Sequence, residues 1–226
     1  MTSWFAGDLR AHPTRWLLVL FLVLLAFPRL DIVFSNLVYQ PGVGFPGRAK
    51  AVLEFVRVTV PDIIVGGFVL CVVLWLVGLV KTQWAWRMTT PRIIYLLLTI
   101  LIGPGLIVET LLKPNWGRAR PDDTTLFGGA AAYTPPWVIA HECDNNCSFV
   151  SGHAAIAFWL TAFAFIAPPP WRLRVLVGGV VIGFAVGMVR MAQGGHFFSD
   201  VVGAGFVVLA VNALLARIIL RPAVVA

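Results

Sequence analysis

Charge is the commodity this chain has least of. Only 12% of its 226 residues are Asp, Glu, Lys or Arg, against about 25% in an ordinary soluble domain. With 59% hydrophobic residues and a mean hydropathy of +0.89, a soluble domain of this length cannot hide its apolar surface, and low-complexity disorder is excluded. Several functional signatures are missing as well. There is no Gly-rich Walker loop, no His-x-x-x-His pair and no acidic cage of the kind that holds magnesium. Three cysteines are too few for a disulfide scaffold. Acids are the scarcer charge, 10 against 17 Lys plus Arg for a net +7. In an apolar chain that excess marks retained loops and does not require nucleic acid as a partner. The class that remains is a polytopic membrane protein, all-α and organised as one domain over residues 1–226.

Six apolar segments are predicted to span the membrane: Trp16 to Phe27, Ile63 to Val80, Ile93 to Leu112, Ala154 to Ala167, Val175 to Val189 and Val201 to Ala216. The first reads as an uncleaved helix, because Ala26-Phe27-Pro28-Arg29 is not a small-x-small cleavage site. With a cytoplasmic N-terminus, Arg10, Arg15, Lys81, Arg87, Arg92, Arg172, Arg174, Arg217 and Arg221 fall inside with Asp8 as the single acid. That asymmetry predicts both termini in the cytoplasm. The connection Arg29 to Asp62 and the loops after the third and fifth spans then face outward. Trp4, Trp16, Trp75, Trp84, Trp86 and Trp171 lie near span ends, as interfacial anchors do. Phe34 to Arg57 reads as irregular chain, lying on the membrane surface or simply connecting spans. Gly103-Pro104-Gly105 is expected to kink the third span.

Polar residues are concentrated in three places. Lys113, Arg118 and Arg120 follow the third span on the outward side, where cations are disfavoured; an anionic ligand explains them, with Lys as a point charge and Arg as a fork for phosphate oxygens. Ser148-Phe149-Val150-Ser151-Gly152-His153 leads into the fourth span, so backbone N–H groups near Ser151 and Gly152 are placed to cradle an oxyanion. Arg190 to Asp200 opens the sixth span. His196 and Asp200, four residues apart on a predicted helix, share a face, and the carboxylate can hold one imidazole nitrogen while the other reacts. Together these make a phosphate-transfer site: His196 as nucleophile, Asp200 orienting it, His153 protonating the leaving oxygen, and Lys113, Arg120 and Arg190 neutralising the transferred group. No metal or cofactor is required. Cys143 and Cys147 lie in the outward loop, where an oxidising compartment lets them pair; free thiols, or a metal site with His141, are the alternatives. Cys71 reads as a small buried hydrophobe.

In order and spacing these residues resemble the type 2 phosphatidic acid phosphatase superfamily, whose motifs are Lys-x6-Arg-Pro, Pro-Ser-Gly-His and Ser-Arg-x5-His-x3-Asp. Here they read Lys113 to Arg120-Pro121, Val150-Ser151-Gly152-His153, and Val189-Arg190 with His196 and Asp200. The motif region, 113–200, departs from the pattern at Val150, where the family has Pro, and Val189, where it has Ser. The resemblance implies a metal-independent phosphatase in the membrane branch of the family. Its active site is expected at the periplasmic ends of a six-helix bundle, with a phosphohistidine formed on His196. The stretches Cys143-x3-Cys147-Ser-Phe-x-Ser-Gly-His and Trp116-Gly117-Arg118-Ala119-Arg120-Pro121 look similar to bacterial lipid A phosphatases. Lipid A in a bacterial inner membrane is therefore the favoured substrate. Undecaprenyl diphosphate, phosphatidylglycerophosphate or phosphatidate is the alternative, as is phosphoryl transfer to another lipid. A six-helix transporter is the different class, and it should place polar groups nearer the bilayer midplane. Oligomeric state is left open.

Overall fold

The computed structural model describes residues 13–80 and 89–220. The expectations resting on Asp8, Arg10, Lys81, Arg87, Arg221, Trp4, Trp84, Trp86 and the sidedness of the two termini lie outside the described residues, as does the side chain of Trp16. Within them the chain is helical, and the two isolated β-bridges, Gln40 with Gly44 and Thr124 with Ala131, build no sheet.

Helix α1 spans Pro13–Ala26 and α2 spans Arg29–Asn36. The chain turns by 96° between them, at Phe27-Pro28. The turn brings α2 back against the start of the last helix and buries Asp31 and Ser35. After a short 3₁₀ turn at Pro46–Ala49, α3 runs from Ala51 to Val80. Sequence reading began this helix at Ile63 and left 34–57 irregular; the structure makes residues 29–36 and 51–62 helical. The charges at Glu54, Arg57 and Asp62 mark the part of a long helix that projects past the hydrocarbon, not its beginning. Thirty residues reach about 45 Å, against a core of about 30 Å. Glu54 and Arg57 pair along one face of those turns, which supports the helix outside the bilayer.

Helix α4 is Thr90–Asn115. Its stretch Leu101–Leu112, which includes the Gly103-Pro104-Gly105 segment, is wound as a π-helix around Pro104. Proline lacks the N–H that an α-turn needs and crowds the carbonyl four residues back, and the wider winding relieves both. Helices α5 (Gly152–Ile166), α6 (Pro169–Ala192) and α7 (Phe198–Ile219) complete the bundle.

By length and apolar composition α3, α4, α6 and α7 can each cross a membrane, and the bent α1–α2 pair makes a fifth candidate. The expected fourth span is helical where predicted, yet at about 22 Å it is shorter than the bilayer core. Ala154, Ala155, Ala157, Phe158, Trp159 and Ala162 are all buried; enclosed by protein, α5 has no bilayer thickness to match. Central α7 packs on α1, α4, α5 and α6. Gly179, Gly183 and Gly187, one per turn of α6, let the backbones close up: a Cβ at Gly183 would lie 2.3 Å from the Phe158 ring and one at Gly187 2.3 Å from Val201. Such small-residue stripes pack helices where lipid supplies no hydrophobic drive. Hydrogen bonds from Trp159 Nε1 to Thr99 Oγ1 (2.9 Å) and Asn212 Nδ2 to Thr161 Oγ1 (3.0 Å) join α4, α5 and α7. By contrast α3 leaves Ile63, Val69, Leu70 and Val73 exposed, a surface suited to lipid.

Candidate active site

The three polar clusters meet at one end of the bundle. Lys113 closes α4, Ser151 and His153 open α5, Arg190 closes α6, and His196 and Asp200 bracket the start of α7. Loop-to-loop hydrogen bonds bring the first two clusters together: Ala140 N donates to Trp116 O at 2.9 Å, Glu142 N to Gly117 O at 3.0 Å and Ser148 N to Arg118 O at 2.8 Å. Gly117 makes the approach possible, with φ at +60° and no room for a Cβ beside the Ala140 carbonyl.

His196 lies just before α7, not on it, because Phe197 is the N-cap residue. Its Nδ1 is 2.8 Å from the backbone oxygen of Ser148 and 3.8 Å from Asp200 Oδ2. A carbonyl oxygen can only accept, so Nδ1 carries the proton and Nε2 keeps its lone pair. The tautomer assigned to Asp200 from sequence is thus held by Ser148, and Asp200 at 3.8 Å acts on the ring as a charge. The Asp200 carboxylate is instead committed elsewhere. Its Oδ2 accepts from Phe197 N at 2.7 Å and Ser148 Oγ at 2.5 Å, and its Oδ1 from Arg118 Nη1 at 2.6 Å. Ser148 therefore ties carboxylate and imidazole together, its hydroxyl on one and its carbonyl on the other. Burial holds the His196 imidazole below its usual pKa, with the Asp200 charge opposing.

Arg118, expected among the phosphate ligands, is turned away from that role. Its side chain is fully buried. Nε donates to Thr134 O, Nη1 to Ser199 Oγ as well as Asp200, and Nη2 to Asp31 Oδ2, each of the three at 2.9 Å. A cation taken out of water needs such partners, and two carboxylates supply them. Asp31 also accepts from Ser199 N at 2.8 Å, capping α7. Sequence reading assigned nothing to Asp31, whose partners lie far along the chain.

Lys113, Arg120 and Arg190 remain. Lys113 Nζ is held by both oxygens of Glu109, at 2.9 and 3.0 Å, one turn earlier on α4; that spacing was a readable signal for Glu109. Gly152 packs on this pair, a Cβ there falling 1.8 Å from Glu109 Oε1 and 3.2 Å from Lys113 Nζ. Arg120 donates through Nε (3.1 Å) and Nη2 (2.8 Å) to Asn146 O. Asn146 belongs to the small loop closed by the Cys143–Cys147 disulfide, Cα–Cα 5.6 Å. Burial lowers the Arg120 pKa. Arg190 Nη1 donates to Gln193 Oε1 at 2.6 Å, while its buried Nε has no hydrogen-bond partner among the described residues. Ser151 caps α5 through Ala154 N at 3.5 Å, and its own N–H is spent on Asp200 O at 3.1 Å. The charges of Arg190 and Lys113 act on His153, and those of Asp200, Arg190 and Arg120 on His196. Among the described residues no group of three or more His, Cys, Asp or Glu side chains is arranged to hold a metal ion.

Two histidines thus lie among three cations at one end of an apolar helical bundle. Residues 92–222 match the PAP2 superfamily, and the chain belongs to it. Among curated proteins it is 37% identical to the lipid A 4'-phosphatase of Francisella tularensis subsp. novicida (strain U112), over 81% of this chain and 83% of that one. It is 33% identical to the lipid A 4'-phosphatase of Rhizobium leguminosarum, over 78% and 82%. A lipid A 1-phosphatase of Rhizobium etli is 34% identical over 47% of this chain and 41% of its own. No solved structure matches the chain.

Proposed function

We propose that this protein removes a phosphate from lipid A, the 4'-phosphate being favoured, at the periplasmic face of a bacterial inner membrane. The observation that carries the chemistry is the geometry around His196: Nδ1 is fixed as the protonated nitrogen by the Ser148 carbonyl, and the charges of Arg190 and Arg120, from two different elements, act on the ring. The 4' position follows the two relatives that match most of the chain; the 1-phosphatase matches less than half of it.

In the proposed reaction the His196 Nε2 lone pair attacks phosphorus and the bond from phosphorus to the sugar oxygen breaks. His153 gives its proton to that oxygen. Water then attacks the phosphohistidine with His153 taking a proton, the P–N bond breaks, and inorganic phosphate leaves. Lys113, Arg120 and Arg190 balance the charge on the transferred group, so the cycle needs no metal. The Nε of buried Arg190, without a partner among the described residues, is a donor for a phosphate oxygen. Support for the outward site and for six crossings, α5 included, comes from the charge asymmetry of the loops.

The test is purified protein in detergent given lipid A, undecaprenyl diphosphate, phosphatidylglycerophosphate and phosphatidate, with products resolved by mass. We expect loss of the 4'-phosphate from lipid A, inhibition by vanadate and indifference to EDTA. His196→Ala should reduce release to background, and His153→Ala by about 10²- to 10⁴-fold. Full activity in His196→Ala would remove the covalent mechanism.

A further inference from the structure

Arg190 is held by a relay of side chains that begins on another helix. Its side chain, 8% exposed, stands near the C-terminal end of α6, and its Nη1 donates to Gln193 Oε1 at 2.6 Å. Gln193 is itself buried, at 2% exposure. Its Nε2 donates to Glu54 Oε2 at 3.2 Å, in the first turn of α3. Glu54 is in turn gripped by Arg57, whose Nε donates to Oε2 at 2.8 Å and whose Nη2 donates to Oε1. Only one orientation of the Gln193 amide satisfies both neighbours, with its oxygen toward the guanidinium and its nitrogen toward the carboxylate. On the other side, a Cβ at Gly195 would lie 2.3 Å from Arg190 Nη2, so the guanidinium fits against bare backbone there. Pinned at Nη1 and packed at Nη2, it leaves Nε without a partner among the described residues.

We propose that Gln193 and Glu54 are positioning residues for Arg190. They hold the guanidinium in the plane where Nε faces the phosphate, and they make the projecting turns of α3 part of the phosphate site. This rests on the phosphatase reading above. Arginine loses rotamer freedom when it binds an anion; holding the fork beforehand removes that cost and spares reorganisation as charge develops.

A double-mutant cycle tests the relay. Wild type, Gln193→Ala, Arg190→Lys and the double variant are compared in detergent for lipid A phosphate release, orthovanadate affinity by calorimetry, and Tm. Gln193→Ala should lower kcat/KM and vanadate affinity about 10- to 100-fold, the size expected for a hydrogen bond to a charged group, without lowering Tm. In the Arg190→Lys background the same change should alter either quantity less than about twofold, because nothing remains to be positioned. A silent Gln193→Ala, or effects that multiply with those of Arg190→Lys, would overturn the proposal. If Gln193→Ala does not fold, Glu54→Ala at the half-exposed end of the relay is put through the same cycle: coupling to Arg190 supports the relay, and additivity or silence overturns it. A wild type that binds vanadate but releases nothing from lipid A would sink the substrate reading alone, and the vanadate cycle would still decide the relay.

Discussion

Ser148 shows how one residue can hold two groups of the proposed site by different atoms. Its carbonyl sets which His196 nitrogen is protonated, and its hydroxyl anchors the Asp200 carboxylate. Burial pushes the His196 pKa below that of an ordinary imidazole, about 6.5. The neutral form, the one the proposed attack requires, therefore persists below that pH in the folded protein. We expect the acid limb of the kcat/KM profile assigned to His196 to lie below pH of about 6.5, separated from ionisation of the lipid phosphate by titrating the phosphorus resonance of the free substrate. A limb at or above that value would contradict the burial. The linked effect on stability has the same direction: as pH falls through the unfolded value, only the unfolded chain takes up the proton, so acid favours unfolding.

At the scale of elements, α2 is a wedge with a charged edge. Its Asp31 reaches the fully buried Arg118 and the first turn of α7, so a segment read as loop fixes the helix that carries Asp200. Asp31→Asn should destabilise the protein by about 3–5 kcal/mol, the usual result of removing one partner from a buried pair, seen as a lower Tm in detergent and reduced phosphate release. An unchanged Tm would mean that Asp200, Ser199 and Thr134 suffice for Arg118. Sequence patterning located α4, α6 and α7 well, because twenty apolar residues have few alternatives. It missed the start of α3 and all of α2, because helices whose polar faces bond to protein show no hydropathy signal.

For the whole molecule, the +7 net charge is no guide to the substrate, since the cations of the proposed site are gathered from α4, α6 and one loop and are partly balanced by Glu54, Glu109 and Asp123. Sidedness can be tested directly. In a Cys71→Ser, Leu126→Cys variant the new thiol is exposed on the loop between α4 and α5, which also carries Arg118 and Arg120, with Cys143 and Cys147 occupied by their disulfide. A membrane-impermeant maleimide should label it in cells with a permeabilised outer membrane. Labelling only after lysis would put the site on the cytoplasmic face.

The sequence by itself determined the solvent, the helical class and the family motifs, because apolar runs and the order of Lys113, Arg120, Ser151, His153, Arg190, His196 and Asp200 are properties of the chain read in one dimension. Only the tertiary structure decided what each charge is for. Arg118 and Arg120 are two residues apart and alike in sequence, yet one is clamped between Asp31 and Asp200 while the other sits on the disulfide loop. That difference depends on partners 87, 82 and 26 residues away. An arginine's role follows from the acceptors that surround it after folding, and those are brought together by packing of the helices, which local spacing does not encode.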